Sequence, residues 1–346
     1  MLPERSAPGS FHPRTPFHMV WLATDACNAR CLHCSSNSFR RTADELTTSE
    51  VFRLIDELAA AGVVDLAISG GEPLLRKDLF EIIAHARGHG LSVGVGSNGT
   101  TLTPAHAVRL RDLGINRYQV SLDGLAASHD ALRRWPGLFD KVLRTIALAR
   151  EAGLRTHICC TINRLNAGEL EELSQLVAGL GVQRINWSRF VPTGRGTSDL
   201  DLTEAEWESV LRLCIRLRDR YRGRLEMVTH LAQQILVDPK VADMPGFIGC
   251  QAGIGQGCVT ANGTVLPCVL LPVPVGNIRE RPFGEIWRTS PIIQTLQARR
   301  SLKGPCGSCF FKDRCGGCRA VALAKTGDFL ASDERCRFVN RAAPAA

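Results

Sequence analysis

Cys27-Asn-Ala-Arg-Cys31-Leu-His-Cys34 is the stretch whose reading decides this fold. It sets three thiols on one short loop, just after the apolar, strand-like run Phe17 to Ala23. Three thiolates hold three irons of a cubane and leave the fourth iron without a protein ligand. Such an iron is open to a substrate or cosubstrate, whereas a closed four-cysteine site serves structure or electron transfer. The competing reading is zinc, with His33 as a fourth ligand. Zinc knuckles pair CxxC units, and His33 directly before Cys34 is awkwardly placed to share an ion. The spacing therefore favours iron and sulfur.

Composition frames that loop. The chain has 346 residues, enough for one large domain and a smaller one, and 45% hydrophobic content allows a well-buried core. Its net charge of +8 comes from scattered arginines. Arg212 to Arg224 reads as the solvated face of a helix, and no compact basic tract points to nucleic acid. An acidic partner suits this charge better. Fourteen cysteines are many for this length. Met1 to Pro16 carries proline and charge but no apolar core of a signal peptide. No apolar run is long enough to cross a bilayer. Cysteine clusters in the cytosol bind metal more often than they form bridges. The expectation is a cytoplasmic, cluster-bearing protein with neither nucleic acid nor membrane as partner.

Downstream of the loop, Thr47-Thr-Ser-Glu50 is a capping box that opens a helix closed by Gly62. The buried-strand run Val63 to Ile68 follows. The alternation then repeats, with strands expected at Leu91 to Val95, Arg117 to Leu122, Thr156 to Ile162 and Arg184 to Phe190, each after a helix. Six strands alternating with helices imply an α/β fold with a parallel sheet. Right-handed crossovers curl it toward a barrel. The periodicity stops after Phe190, so the expectation is an open six-fold (β/α) partial barrel with functional residues at the strand C-terminal ends.

Those ends read Ser69-Gly70-Gly71-Glu72-Pro73, Ser97-Asn98-Gly99, Ser121-Leu122-Asp123-Gly124 and Val191-Pro192-Thr193-Gly194-Arg195. Each alone is an ordinary turn sequence. Taken with the cysteine loop, they resemble the radical S-adenosylmethionine (SAM) enzymes over about residues 17–196. The resemblance implies that the open iron binds the amino and carboxylate groups of SAM, with His33 as the ring near the adenine. It makes Gly70, Gly71, Glu72 and Pro73 the GGEP motif facing the SAM amino group. It makes Ser97, Asn98, Ser121 and Asp123 the ribose and carboxylate contacts. Arg133 is placed near the SAM carboxylate, and Arg195 in the segment bordering the adenine.

The C-terminal third carries eight more clustered thiols. Cys250 and Cys258 precede Asn262-Gly263, a hairpin turn that lets Cys258 meet Cys268 across two strands. Cys306-Gly-Ser-Cys309, Cys315-Gly-Gly-Cys318 and Cys336 follow. Eight thiols suffice for two four-thiolate sites, and a pair of zinc ribbons would suit the CxxC units too. The pattern resembles the SPASM domain, which carries two auxiliary iron–sulfur clusters. By that resemblance Cys250, Cys258, Cys268 and Cys318 hold one cluster. Cys306, Cys309, Cys315 and Cys336 hold the other, giving three [4Fe–4S] clusters in all. Interleaved ligand sets would staple a region with little core of its own. The implied layout is a radical SAM core over 1–200, a helical connector over 201–245, a SPASM domain over 246–340 and a tail over 341–346.

Val269 stands where the anaerobic sulfatase-maturating members place an acidic residue after the hairpin cysteine, which counts against that subfamily. The nearest resemblance is to the peptide maturases of the mycofactocin and pyrroloquinoline-quinone type. The resemblance implies reductive cleavage of SAM to a 5′-deoxyadenosyl radical that takes hydrogen from an unactivated carbon. An external donor of flavodoxin or ferredoxin type would supply the electron. The leading substrate is a ribosomal peptide brought by a separate peptide-recognition protein. The alternatives are a small natural product such as an aminocyclitol or sugar, or a tetrapyrrole side chain, whose carboxylates the arginine surplus would suit. A non-catalytic iron–sulfur or zinc protein is the reading of another class, and it has no use for SAM-type strand ends. One catalytic candidate comes from the strand Thr156 to Asn163. Its side chains alternate between faces, so Cys159 faces the lumen if Asn163 does, and Cys160 faces the helices. A lumenal thiol can return a hydrogen atom to a substrate radical, although a free cysteine is also a common small core residue.

Overall fold

The computed structural model describes residues 15–229 and 234–336. The expected 341–346 tail and the last residues of the 246–340 unit lie outside them. All six expected strands form: β1 His18–Leu22, β2 Asp65–Ser69, β3 Ser92–Ser97, β4 Arg117–Ser121, β5 Thr156–Ile162 and β6 Arg184–Arg189. They pair in parallel in sequence order. The connecting helices are α1 Thr48–Ala60, α2 Leu79–Gly88, α3 Pro104–Asp112, α4 Ala126–Arg133, α5 Leu138–Glu151 and α6 Leu170–Gly179. Helix α1 starts at the expected capping box, with Thr47 and Glu50 bonded reciprocally. Its Val51, Leu54, Ile55 and Leu58 recur at helical spacing and are buried against the sheet. Each such fully buried side chain contributes about 1.5–3 kcal/mol.

The repeat runs one unit further than the sequence periodicity suggests. The stretch expected as a helical connector holds α7 Glu204–Arg220, opened by a Thr203/Glu206 capping box, and then strand β7 Glu226–Thr229. β7 pairs in parallel with β6. On the opposite edge, β8 Gln256–Val259 pairs in parallel with β1 and turns back as β9 Thr264–Leu266. Gly263 sits at φ +88° in that hairpin, where an L side chain would be strained. With β10 Gly276–Asn277, the described residues form one ten-stranded sheet of order β10-β9-β8-β1-β2-β3-β4-β5-β6-β7. The cysteine-rich unit is therefore continuous with the barrel sheet. Its helices follow as α8 Phe283–Thr289, α9 Pro291–Ala298, α10 Gly304–Ser308, α11 Lys312–Cys315 and α12 Arg319–Thr326.

Burial alternates along the strands. Leu66, Ile68, Tyr118, Val120, Ile158 and Cys160 are buried under the helices, while Ala67, Ser69, Gln119, Ser121, Cys159 and Thr161 are half-buried on the concave face. The strand N-termini close the barrel with charge. Asp65 accepts both Arg117 guanidinium nitrogens at 2.7 and 2.8 Å, Ser92 Oγ at 2.7 Å, and faces His18 Nδ1 at 2.6 Å. The open side of the lumen is thus the strand C-terminal end.

Candidate active site

The cysteine loop is clamped from both flanks. From β2, Gly71 N–H donates to Thr24 O at 2.7 Å, and Glu72 N–H donates to Ala26 O at 2.8 Å. A Cβ on Gly71 would lie 2.0 Å from Ala26 O, so only glycine lets the strand end approach the loop this closely. Arg76 donates to Ala23 O and to Leu46 O, both at 2.9 Å. Buried Glu45 accepts from Thr24 Oγ1 and Asp25 N–H, each at 2.8 Å. From the β6 side, Gly194 is at φ +62°, and Arg195 N–H donates to Cys34 O at 2.9 Å. The Arg195 side chain donates to Cys31 O at 3.2 Å and Ser38 O at 2.9 Å. Cys27, Cys31 and Cys34 are held by backbone contacts rather than by a core of their own.

The expected strand-end residues converge on this loop. Glu72 is fully buried and accepts from Ser97 Oγ at 3.0 Å, Asn98 N–H at 2.8 Å and Thr101 Oγ1 at 3.0 Å. Burial raises its carboxyl above the usual range, against those hydrogen bonds. Pro73 opens the short helical turn after it. Asn98 Nδ2 lies 3.8 Å from Cys27 Sγ and donates to Asn28 Oδ1 at 2.8 Å. Arg133, delivered by α4, gives Nε and Nη2 to Asp123 Oδ2 at 2.8 and 2.6 Å, and its Nη1 lies 3.8 Å from Cys31 Sγ. Burial opposes charge on Asp123, but Arg133 and His33 hold its carboxyl down to about 2. His33 Nε2 is 3.5 Å from Asp123 Oδ2. Burial, with Arg133 and Arg195, outweighs Asp123 and lowers His33 to about 4, so its ring is neutral at pH 7. His33 Nδ1 is buried without a hydrogen-bond partner among the described residues. Ser121 is half-buried at the end of β4, in register with Cys159. Cys159 Sγ lies 3.7 Å from Ser188 Oγ, and burial pushes its thiol up to about 11, which keeps the S–H at neutral pH.

Several of the auxiliary cysteines are neighbours. Cys258 lies within electrostatic reach of Cys268, which in turn feels Cys250 and Cys318. Cys315 lies near Cys336, and a Cβ on Gly317 would lie 3.2 Å from Cys306 Sγ. Cys309 ends α10, with Phe311 N–H donating to its sulfur at 3.4 Å.

Two observations fit anionic clusters at these sulfurs. First, Cys27, Cys268, Cys309 and Cys315 each accept the N–H of the residue two positions on, at 3.4–3.5 Å. Such bonds favour the thiolate. Second, buried Arg299 donates to Cys250 O and Asp313 O. Buried Arg319 donates to Phe329 O and Ala331 O and reaches Cys306 Sγ at 3.8 Å. Both guanidiniums lie where they favour thiolates, Arg319 beside Cys306 and Arg299 within electrostatic reach of Cys250 and Cys315.

Sequence reasoning did not find the residues that position the ligands. Glu45, Arg76, His129, Asn166, Arg299 and Arg319 belong to no motif. His129 Nδ1 accepts from Asp123 N–H at 3.0 Å, and Asn166 Nδ2 donates to Thr161 O at 3.0 Å. No sequence signal marks Arg299 and Arg319, because the arginines are scattered and burial shows only in the fold.

Residues 21–177 match the Radical SAM superfamily, and residues 250–310 match SPASM, an iron-sulfur cluster-binding domain. The AdoMet-dependent heme synthase of Methanosarcina barkeri is 37% identical over 337 residues, covering 93% of this chain and 97% of that one. The mycofactocin maturase MftC of Mycobacterium tuberculosis is 31% identical over 320 residues, covering 88% and 79%. The crystal structure of Streptococcus suis SuiB bound to precursor peptide SuiA superposes with a TM-score of 0.79 at 17% identity. It covers 94% of this chain and 76% of that one, a likeness of fold.

Proposed function

Since this chain belongs to the radical SAM enzymes and carries a SPASM domain, we propose that it oxidises a carboxylate-bearing side chain of a tetrapyrrole. The observation that carries this reading is the 37% identity to a heme synthase over nearly the whole of both chains. The small side chains on the concave face, Ala67, Ser69, Gly96 and Ser121, support it by leaving the lumen to a ligand. When bound, a reduced cluster with SAM would supply the radical chemistry needed to take hydrogen from an unreactive carbon.

The chain's own part is to hold and exclude. Cys27, Cys31 and Cys34 bind three irons. Neutral His33 offers a flat ring and one free nitrogen to the adenine end of SAM. Asp123 holds the Arg133 guanidinium in place and leaves its Nη1, beside Cys31, as a donor toward the polar groups of SAM, with Ser97, Asn98 and Ser121 nearby. Gly70, Gly71, Glu72 and Pro73 seat the loop against β3, and Arg195 locks its far side. Cys250, Cys258, Cys268 and Cys318 bind one auxiliary cluster, and Cys306, Cys309, Cys315 and Cys336 another. When bound, those clusters would offer an acceptor for the electron left on the substrate, and a flavodoxin- or ferredoxin-type protein is the external donor this reading calls for. A ribosomal peptide is the second reading, favoured by the mycofactocin maturase match, and it brings a separate peptide-recognition protein as partner.

The test is anaerobic turnover of the reconstituted enzyme with an iron porphyrin bearing propionate side chains. The expected result is substrate-dependent 5′-deoxyadenosine together with a porphyrin of lower mass. Stimulation by a short peptide and not by any porphyrin would replace this reading with the second.

A further inference from the structure

The outer helical layer carries a cluster that the radical chemistry does not use. His85 lies in the last turn of α2 and His89 one turn on, so the two rings share a face. Asp56 of α1 meets both. Its Oδ1 lies 2.6 Å from His85 Nε2 and 2.9 Å from His89 Nε2. The three ligand atoms all lie within 4.8 Å of one another. Phe52, one turn before Asp56, stacks on the His85 ring with centroids 4.3 Å apart and planes 12° from parallel. That contact fixes the plane of the imidazole. All three ligands remain open to solvent, at 52% exposure for Asp56, 27% for His85 and 39% for His89.

Two imidazole nitrogens converging on one carboxylate oxygen are either two protons sharing an acceptor or the vertices of a cation site. Nitrogen and carboxylate together suit zinc and its first-row neighbours, whereas magnesium and calcium prefer oxygen alone. Three protein ligands with a fourth position left to water is a familiar zinc arrangement. We propose that Asp56, His85 and His89 form a surface site for a divalent transition cation of the zinc type, joining α1 to α2. The site stands apart from the substrate reading.

Its place in the fold gives the ion a task. Helix α1 also receives the C-terminal unit: Glu57 accepts the Phe283 N–H at 2.7 Å at the start of α8, and Glu50 accepts Arg279 Nε and Nη2 at 2.6 and 3.0 Å. A cation that joins α1 to α2 braces the helix on which the cysteine-rich unit docks. Binding to the folded state alone then raises stability with metal concentration.

The experiment is equilibrium dialysis of the anaerobically reconstituted holoenzyme against zinc, its clustered cysteines already occupied by iron. Bound zinc and iron are counted together. The expected result is about one zinc per chain at micromolar free metal, with a melting temperature that rises as zinc is added. The His85→Gln/His89→Gln double variant keeps hydrogen-bonding groups beside Asp56 but should lose both effects, with its iron content and SAM cleavage unchanged. Asp56→Asn should weaken binding about tenfold or more. Equal zinc uptake by parent and double variant, or no uptake below millimolar zinc, would overturn the site.

Discussion

Asp123 takes both Nε and Nη2 of Arg133 on a single carboxylate oxygen, and its other oxygen accepts the Thr161 N–H at 2.7 Å. Nearly every lone pair of a buried anion is used. Asp123→Asn leaves the Arg133 guanidinium without its counter-charge, a loss of about 3–5 kcal/mol for a buried pair. The denaturant midpoint should fall accordingly, and Arg133→Lys should rescue little, because an ammonium cannot bridge in the same plane. An unchanged midpoint would show that the pair is idle. Cys159 is a different case. A net oxidation returns no hydrogen atom to the substrate, so Cys159→Ala should still form the normal product. An oxidised or trapped by-product accumulating in that variant would instead make Cys159 the hydrogen donor that the strand alternation suggested. At this scale thiols, glycines and strand-end carboxylates stand out in the sequence by type and spacing. It could not show that Glu72 spends its oxygens on Ser97, Asn98 and Thr101, since those contacts cross from one strand end to the next.

At the scale of elements, the cysteine loop depends on close backbone approach from β2 and from the segment after β6. Gly71→Ala drives a Cβ into Ala26 O, and Gly194→Ala drives one to 2.4 Å from Cys34 O. Displacing the loop by an ångström should lower SAM cleavage on the order of 10²-fold, with loss of core-cluster iron and retention of the auxiliary clusters. Full activity in Gly71→Ala would contradict the clamp. The barrel floor gives a pH test. Burial opposes charge on Asp65, but His18, Arg117 and Ser92 hold its carboxyl far below the usual 3.8. A depressed carboxylate stabilises the fold above the unfolded value and loses that contribution as pH falls below it. The stability gap between parent and Asp65→Asn should therefore be constant near neutrality and shrink below about pH 4. A gap independent of pH down to 3 would refute the assignment. The first six strands were legible because each is a five- to seven-residue segment with apolar residues at alternate positions, between turn signals. β7 has only four residues after an arginine-rich helix, too few to show a period. The pairing of β8 with β1 joins residues far apart in sequence, and no local pattern encodes it.

Across the whole molecule, one buried network joins the barrel to the cysteine-rich unit. Arg189 at the end of β6 donates to both oxygens of Asp333 at 3.0 and 3.1 Å, and Asp333 accepts the Cys318 N–H at 2.9 Å. Arg335 reaches Phe190 O at 3.2 Å and pairs with Asp201, which Lys325 also meets at 2.9 Å. Arg189→Ala strands Asp333 beside Cys318. It should cost about 3–5 kcal/mol and lower auxiliary iron before core iron. Four of the eight auxiliary thiols were readable from CxxC spacing and two from the hairpin turn, but their bracing spans 144 residues between Arg189 and Asp333 and appears only in the folded chain. The account as a whole rests on a cluster with an open iron at Cys27, Cys31 and Cys34. The most direct measurement is iron content together with 5′-deoxyadenosine formation, in the parent and in a Cys27→Ala/Cys31→Ala/Cys34→Ala protein reconstituted anaerobically side by side. The account predicts roughly twelve irons falling to about eight, with reductive SAM cleavage abolished. A triple variant that keeps its full iron, or still makes 5′-deoxyadenosine at the parent rate, would contradict it.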